Sequence, residues 1–491
     1  MAKILIIGGG VSGLSAGIYA QLSGHQAIIC ERHSVAGGNL TGWKRGGYHI
    51  DNCIHWLTGT NPATATYKMW EDLGALGNVE VFQGDVLFTC ESDGKILSLS
   101  RDLKKFERDM LEIAPEDEKE IKAFIRAVKI VQGLSGIGGE SHREHAKFGQ
   151  TIFGIPAVMR YYGNTTGEIS KRFKNPLLRF FFSAFWGESF GALTLIFVFA
   201  HFCGDNGGIP KGSSCAMAER MVNRFKKLGG ELLLKKEAVK INHRDGKADS
   251  VSFADGTTIE ADYVVLTGDP AVMFPSLLER PVPKQLEKKY RDPRFERFSS
   301  YHCAFACDAE DLPFRGDFIF EVPAEYRDTL DSKQLILREF SHEESFAPKG
   351  KNLIQTLTYA YEEKAKSFIK LKSLDKAAYM KKKKELAETI RGIIEKHFPQ
   401  LEGKIQCIDV WTPATYKRYT DTEIGSWMSF ILPSNMIPIR ANNEVEGIDN
   451  VILATQWQQI PGGLPIAAEC GRFAVKTILK KEKRRKMTAM A

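Results

Sequence analysis

The sequence predicts an α/β fold with a mostly parallel sheet at its centre, and three stretches predict it. Residues 3–7, Lys-Ile-Leu-Ile-Ile, run straight into a glycine loop and then into a helix rich in small residues. Such short β-branched runs fit strands buried on both faces of a parallel sheet. Strand and helix patterns alternate again at 207–275 and at 447–472. The long stretches between them have a different character, so a second, α+β region is expected to be interleaved with the first. At 491 residues the chain is long enough for about two to four domains.

The first stretch carries the most specific signal. Gly8-Gly9-Gly10-Val11-Ser12-Gly13 has glycine at the first, third and sixth positions. Gly8 suits the tight turn out of the strand, Gly10 lets a pyrophosphate approach the backbone, and Gly13 lets helix and strand pack closely. Val11 and Ser12 open the helix, whose free N–H groups and positive dipole end attract phosphate. A second apolar run, His25 to Cys30, ends in Glu31, which lies 23 residues past Gly8. A carboxylate there can accept hydrogen bonds from ribose hydroxyls, and Arg32 beside it is placed in the same site. Strand, loop, helix, strand and acid in this order predict a Rossmann-like dinucleotide-binding domain.

The following residues point to which dinucleotide. Gly37-Gly38-Asn39 comes soon after the acid, which suggests a further close backbone approach along a larger cofactor, and Gly47-Tyr48-His49-Ile50-Asp51 follows. Further on, Pro210-Lys211-Gly212 precedes a helix at 217–228 and a Gly229-Gly230 strand. Asp245-Gly246 and Asp255-Gly256 then mark hairpins, and Ala261 to Thr267 reads as another buried strand. Near the end, Gly447 to Trp457 reads as a strand, and Pro461-Gly462-Gly463-Leu464-Pro465 as a turn that opens a helix. Together these segments resemble the FAD-dependent amine oxidase superfamily, in its branch of phytoene desaturases, carotenoid isomerases and retinol saturases. There the ribose acid is followed by Gly-Gly-Arg and then by a Gly-aromatic-x-x-Asp segment; here Asn39 stands in place of the arginine.

The resemblance implies FAD as cofactor and a nucleotide domain of the amine-oxidase type, built from residues 1–75, 205–280 and 436–480. Residues 76–204 and 281–435 would form the substrate domain, and 481–491 a basic flexible tail. It further implies cofactor contacts at Gly38, Asn39, Val239 (through its backbone, to the adenine), Gln456, Gly463 and Leu464. The family usually has an acid where Gln456 stands. Residues 51–56 should run near the flavin ring, which makes His55 the catalytic candidate, as a proton donor or a flavin-face contact. The function implied is desaturation, saturation or isomerisation of an apolar polyene or isoprenoid. Two alternatives stand beside it. One is a flavin amine oxidase of a polar substrate, which calls for an aromatic cage and a lysine near flavin N5. The other is a non-catalytic FAD-binding homologue.

Elsewhere the sequence narrows the field. The 43% hydrophobic and 26% charged composition is that of a soluble globular protein. Of the net charge of +7, the segment 480–486 supplies +5, with six Lys or Arg and one Glu, so no basic face for nucleic acid is expected. Nine scattered cysteines without a CxxC suit a reducing compartment and no metal site. No Walker A loop, zinc motif or second GxGxxG competes. With no signal peptide and no apolar run of about 18 residues, the expectation is a cytoplasmic protein. The Phe-rich stretch 173–203 reads as two or three helices. It forms either core or an apolar substrate tunnel, or else a surface that dips into a membrane with Lys171, Arg172, Lys174 and Arg179 at the headgroups. Gly133 to Gly139 reads as a glycine loop. Residues 375–398 read as an amphipathic helix with Leu386, Ile390, Ile393, Ile394 and Phe398 on one face.

Overall fold

The structure is a computed structural model and describes residues 1–133, 156–437 and 439–490. Most of the expected glycine loop, 134–139, lies outside the described residues.

Lys3–Ile7 forms the middle of a six-stranded sheet and pairs in parallel with Gln26–Cys30 on one side and Tyr263–Leu266 on the other. Glu231–Leu233 extends the sheet beyond Gln26–Cys30. Ile448–Leu453 and the short antiparallel Glu444–Val445 extend it beyond Tyr263–Leu266. Three separated pieces of chain thus meet in one sheet. Ile4, Leu5 and Ile6 are fully buried between its two faces, which is why this strand is apolar from Ile4 to Ile7.

Val11–Leu22 lies on one face between Leu464–Met490 and Ser213–Lys227. Val11–Leu22 packs along Leu464–Met490, and Ser15 Oγ donates to Ala468 O at 2.6 Å. A Cβ at Gly471 would lie 2.4 Å from Ser12 O, so the two backbones meet where no side chain fits. The strand meander Ala238–Arg244, Lys247–Phe253 and Thr258–Glu260 lies beside the sheet. Its first turn has Asp245 and Gly246 at φ 51° and 76°, the left-handed pair that a two-residue hairpin favours.

The second unit is a seven-stranded sheet. Its order is Gln406–Trp411, Phe298–Asp308, Lys351–Tyr361, Gln334–Arg338, Asp317–Glu321, Val86–Ser92 and Lys95–Ser100. Alternate residues face opposite ways. Leu335 and Leu337 pack under Lys376–His397, whose Leu386, Ile390, Ile393 and Ile394 are buried. Ile336, Leu357 and Tyr359 face a layer of helices that includes Glu118–Gly133, Pro176–Ala184 and Leu193–Phe202.

The Phe-rich stretch serves two purposes. Phe181, Phe182 and Phe199 pack tilted or edge-on against Phe106 and Phe124 in the core. Phe185, Trp186, Phe190 and Phe197 border a cavity. Two of the four basic residues, Arg172 and Arg179, are engaged within the fold. Arg172 bonds Asn164 Oδ1 at 2.7 Å and pairs with Glu120, and Arg179 donates to Phe173 O at 2.6 Å.

Two expectations are corrected. The helix expected at 217–228 is Ser213–Lys227, starting directly after Gly212 at φ 76°; a left-handed N-cap is invisible to hydrophobic periodicity. The expected flexible tail continues the closing helix to Met490. It is docked because its cations meet acids on the sheet edge: Lys481 pairs with Glu444 and Asp449, and Arg485 donates to Tyr263 OH at 3.2 Å. Among the described residues no helix is long and apolar enough to cross a membrane.

Candidate functional site

A cavity of about 800 Å³ runs from the glycine loop of the six-stranded sheet to the helix-covered face of the seven-stranded one. Gly8, Gly10, Val11, Ser12, Glu31, Arg32, Gly38, Asn39, His55, Gln456, Gly463 and Leu464 all border it. Two predicted residues do not. Gly13 lies behind the loop, where a Cβ would come 2.0 Å from Gly8 O, so its absence of side chain closes the helix onto the strand. Val239 points outward and is 44% exposed, while Ala238 borders the cavity with Lys236 and Glu237. The contact expected of Val239 is through its backbone, next to Ala238 on a strand whose register shifts between Ala238 and Lys240.

The loop end is shaped for an anion. Gly10 caps Val11–Leu22 without a side-chain hydrogen bond, leaving the first-turn N–H groups to the cavity. Nothing lies within 3.8 Å of a Cβ built on Gly10, and that space is the cavity itself. The second glycine turn is bound to the first: Gly37 N donates to Gly9 O at 2.8 Å, and a Cβ on Gly38 would sit 3.2 Å from Gly10 Cα. The close approach that the Gly37-Gly38 pair allows is therefore between the two loops.

Glu31 is buried, and its carboxylate accepts from Gly9 N at 2.8 Å and His33 N at 2.9 Å. These fix both oxygens at the cavity wall, and each keeps a lone pair for a further donor. Arg32 is held by Arg418 O at 2.7 Å and by Asp421 at 3.1 Å. It joins the loop to the end of helix Pro413–Thr420, and Tyr419 to Thr422 complete this side of the cavity. Asn39 donates to Trp427 O at 3.0 Å, so its amide braces the wall where the family arginine would reach inward. At the closing turn, Gln456 Oε1 accepts from Gly463 N at 2.9 Å. The uncharged side chain thus shapes the turn that opens the last helix.

Residues 52–56 are fixed by the buried Asp51. Its carboxylate accepts from Ser214 Oγ at 2.7 Å, Ser214 N at 2.8 Å and Cys53 N at 3.2 Å, and Gln355 bonds both its N and its O. This brings His55 and Trp56 to the cavity. Beyond them the cavity becomes apolar, with Phe185, Trp186, Phe190, Phe197, Phe298 and Leu357 in its wall. Lys236 is the one lysine bordering the cavity among the described residues, and it is bonded to Asp255 and Thr257.

Burial pushes the thiols of Cys30 and Cys53, both on the wall, up to about 12, so neither is a thiolate nucleophile at neutral pH. Burial also raises the carboxyl of Asp269, which is held by Tyr290 OH and by Glu423 N at 2.9 Å. Behind the wall, His302 bonds Ser300 Oγ at 2.6 Å and Tyr416 OH at 3.0 Å, and burial drops its pKa to about 3, so it is neutral. The residues that sequence reasoning missed, Asp269, Tyr290, His302 and Trp427 among them, lie in segments without a local motif. Trp427 Nε1 and Thr194 Oγ1 are buried without a protein partner, and both residues border the cavity. A helix N-terminus open to the cavity, a buried acid and unpartnered polar atoms in the wall fit a bound dinucleotide of FAD's kind.

Comparison with known proteins agrees. The family described as flavin containing amine oxidoreductase matches residues 11–479. The chain is 24% identical to a chloroplastic prolycopene isomerase of Daucus carota over 86% of this chain and 71% of that protein. It is 24% identical to a lycopene-forming phytoene desaturase of Pseudescherichia vulneris, over 57% and 58%, which is under two thirds of that relative. In structure it is similar to an oxidoreductase from Methanosarcina mazei (TM-score 0.63, 14% identity, 97% and 100% covered). It is also similar to cyclohexylamine oxidase from Brevibacterium oxydans (TM-score 0.56, 14% identity, 98% and 99% covered). The chain belongs to the flavin containing amine oxidoreductase family, as an FAD-dependent oxidoreductase of the branch that holds its phytoene desaturase and prolycopene isomerase relatives.

Proposed function

We propose that this enzyme desaturates, saturates or isomerises an apolar polyene or isoprenoid held against FAD. The observation that carries the reading is the continuity of one cavity from the glycine loop into an aromatic arm. In this reading the N–H groups of Val11 and Ser12 bind the pyrophosphate past Gly10 and Gly38, and Glu31 binds the ribose. Ala238 and the Val239 backbone flank the adenine, and Gly463 and Leu464 meet the ring end. The flavin supplies hydride exchange at N5. The chain's task is then to orient the substrate and keep water out, and the rings of Phe185, Trp186, Phe190 and Phe298 do both. The relatives named for carotenoid reactions support this substrate class. Oxidation of a polar amine gains less support: Lys236, the lysine on the wall, is already bonded at the loop end of the cavity.

The test is anaerobic mixing of the FAD-loaded protein with a polyene and, separately, with an amine, followed by flavin absorbance. The proposal expects the oxidised enzyme to be bleached by a dihydro-polyene, or the reduced enzyme to be reoxidised by a polyene. Bleaching by the amine alone would overturn it. No response to either, with no change in the isomer composition of the polyene, would favour the non-catalytic homologue.

A further inference from the structure

Among the described residues two histidines border the cavity, and they are built differently. His201 Nδ1 lies 3.0 Å from the amide nitrogen of Asn206. An amide nitrogen only donates, so Nδ1 accepts and the ring is neutral. His55 Nδ1 lies instead 3.4 Å from Asp317 Oδ2. Asp317 is buried at 6% exposure and opens the strand Asp317–Glu321 of the seven-stranded sheet. Its cross-strand partner is Arg338, also 6% exposed, whose Nε lies 3.4 Å from Asp317 Oδ1 and whose Nη2 donates to His55 O at 2.8 Å. The guanidinium therefore holds the carboxylate on one side and the His55 backbone on the other. Among the described residues His55 Nε2 has no hydrogen-bond partner, and the ring is about a quarter exposed, toward the cavity.

A buried ion pair is costly to assemble and is weak evidence for stability alone. Here it stands behind the one cavity histidine whose Nδ1 faces an acceptor. A carboxylate at Nδ1 fixes the tautomer and turns Nε2 into the working atom.

We propose that His55 Nε2 is the proton-transfer atom of this site, with Asp317 and Arg338 as its positioning residues. The inference rests on the polyene reading above. Forming a C=C bond from adjacent C–H bonds removes two hydrogens and two electrons. Bound FAD would accept the hydride, and the other hydrogen leaves as a proton, which the Nε2 lone pair of His55 takes. In the saturating direction imidazolium Nε2–H returns that proton to carbon. The Asp317 carboxylate, paired with Arg338, faces Nδ1 of the ring in both directions.

Nitrogen NMR of the FAD-loaded protein with labelled histidine tests the arrangement without turnover. The chain has 11 histidines, and the resonance missing from His55→Gln assigns the ring. The expected state of wild type is the Nδ1–H tautomer, changing to a mixture in Asp317→Asn. Turnover should fall by about 10²–10⁴-fold in His55→Gln and by at least about tenfold in Asp317→Asn, with the flavin still bound. Asp317→Glu, which keeps the carboxylate, should recover both tautomer and rate. A wild-type Nε2–H tautomer, or an Asp317→Asn protein with unchanged tautomer and rate, would overturn the proposal. If no polyene exchanges electrons with the flavin or is isomerised, the substrate reading fails, and the tautomer still decides the His55–Asp317 couple.

Discussion

Replacing Gly10 by valine separates cofactor binding from folding. Gly10 has φ −72° and ψ −176°, extended backbone that any residue adopts. A Cβ there meets nothing nearer than Gly38 Cα at 3.8 Å and Gly37 O at 4.0 Å. Valine therefore fits the fold, and its methyl groups occupy the space over the open helix end. In the proposed site that space belongs to the pyrophosphate, bound by the N–H groups of Val11 and Ser12. Losing two hydrogen bonds to a charged group, at about 1.5–3 kcal/mol each, removes about 3–6 kcal/mol. That is a weakening of roughly 10²–10⁴-fold in Kd. Quenching of flavin fluorescence on titrating apoprotein into FAD measures it, and the thermal midpoint of the apoprotein should stay at the wild-type value. A Gly10→Val protein that binds FAD within about threefold of wild type would refute the placement of the pyrophosphate.

Other substitutions act elsewhere. Gly13→Ala should behave in the opposite way, because its Cβ would meet Gly8 O at 2.0 Å, a backbone atom. Forcing that contact costs about 1–3 kcal/mol or more, read as a lower thermal midpoint without FAD. Glu31→Ala should weaken FAD by about 10- to 100-fold in the same fluorescence titration, by removing a charged acceptor beside the ribose. Acid stability should depend on His302. Its folded pKa of about 3 lies below the ordinary value of 6.5, so below pH 6.5 the unfolded chain takes up a proton that the folded one refuses. This contribution is complete above pH 6.5 and is lost at about 1.4 kcal/mol per pH unit as the pH falls toward 3. His302→Gln should flatten that limb of a denaturation-versus-pH curve.

What the sequence revealed about the fold followed the range of the interactions. The Gly8 to Gly13 loop, Glu31 and the closing Pro461 to Leu464 turn are each specified within a few residues, and all reach the same cavity. The Gly37-Gly38 pair was legible as a close approach, but not as one to Gly10, since that contact bridges two loops. That the Val239 side chain faces outward while Ala238 borders the cavity was not legible, because adjacent small and β-branched residues leave strand phase undecided. The docked basic helix was hidden because Glu444 and Asp449 lie some thirty residues before their partners Lys481 and Arg485. The environment of His55 was least legible. Asp317 and Arg338 are single residues on neighbouring strands, more than 250 positions away, and only the sheet register brings them together.

The most direct test of the central claim is a crystal structure of the protein reconstituted with FAD. It should place the pyrophosphate within hydrogen-bonding distance of the Val11 and Ser12 N–H groups, the ribose on Glu31 and the flavin ring beside Gly463 and Leu464. The aromatic arm should then open onto the ring. FAD bound outside this cavity, or a ring turned away from the Phe185 to Phe197 wall, would contradict the account.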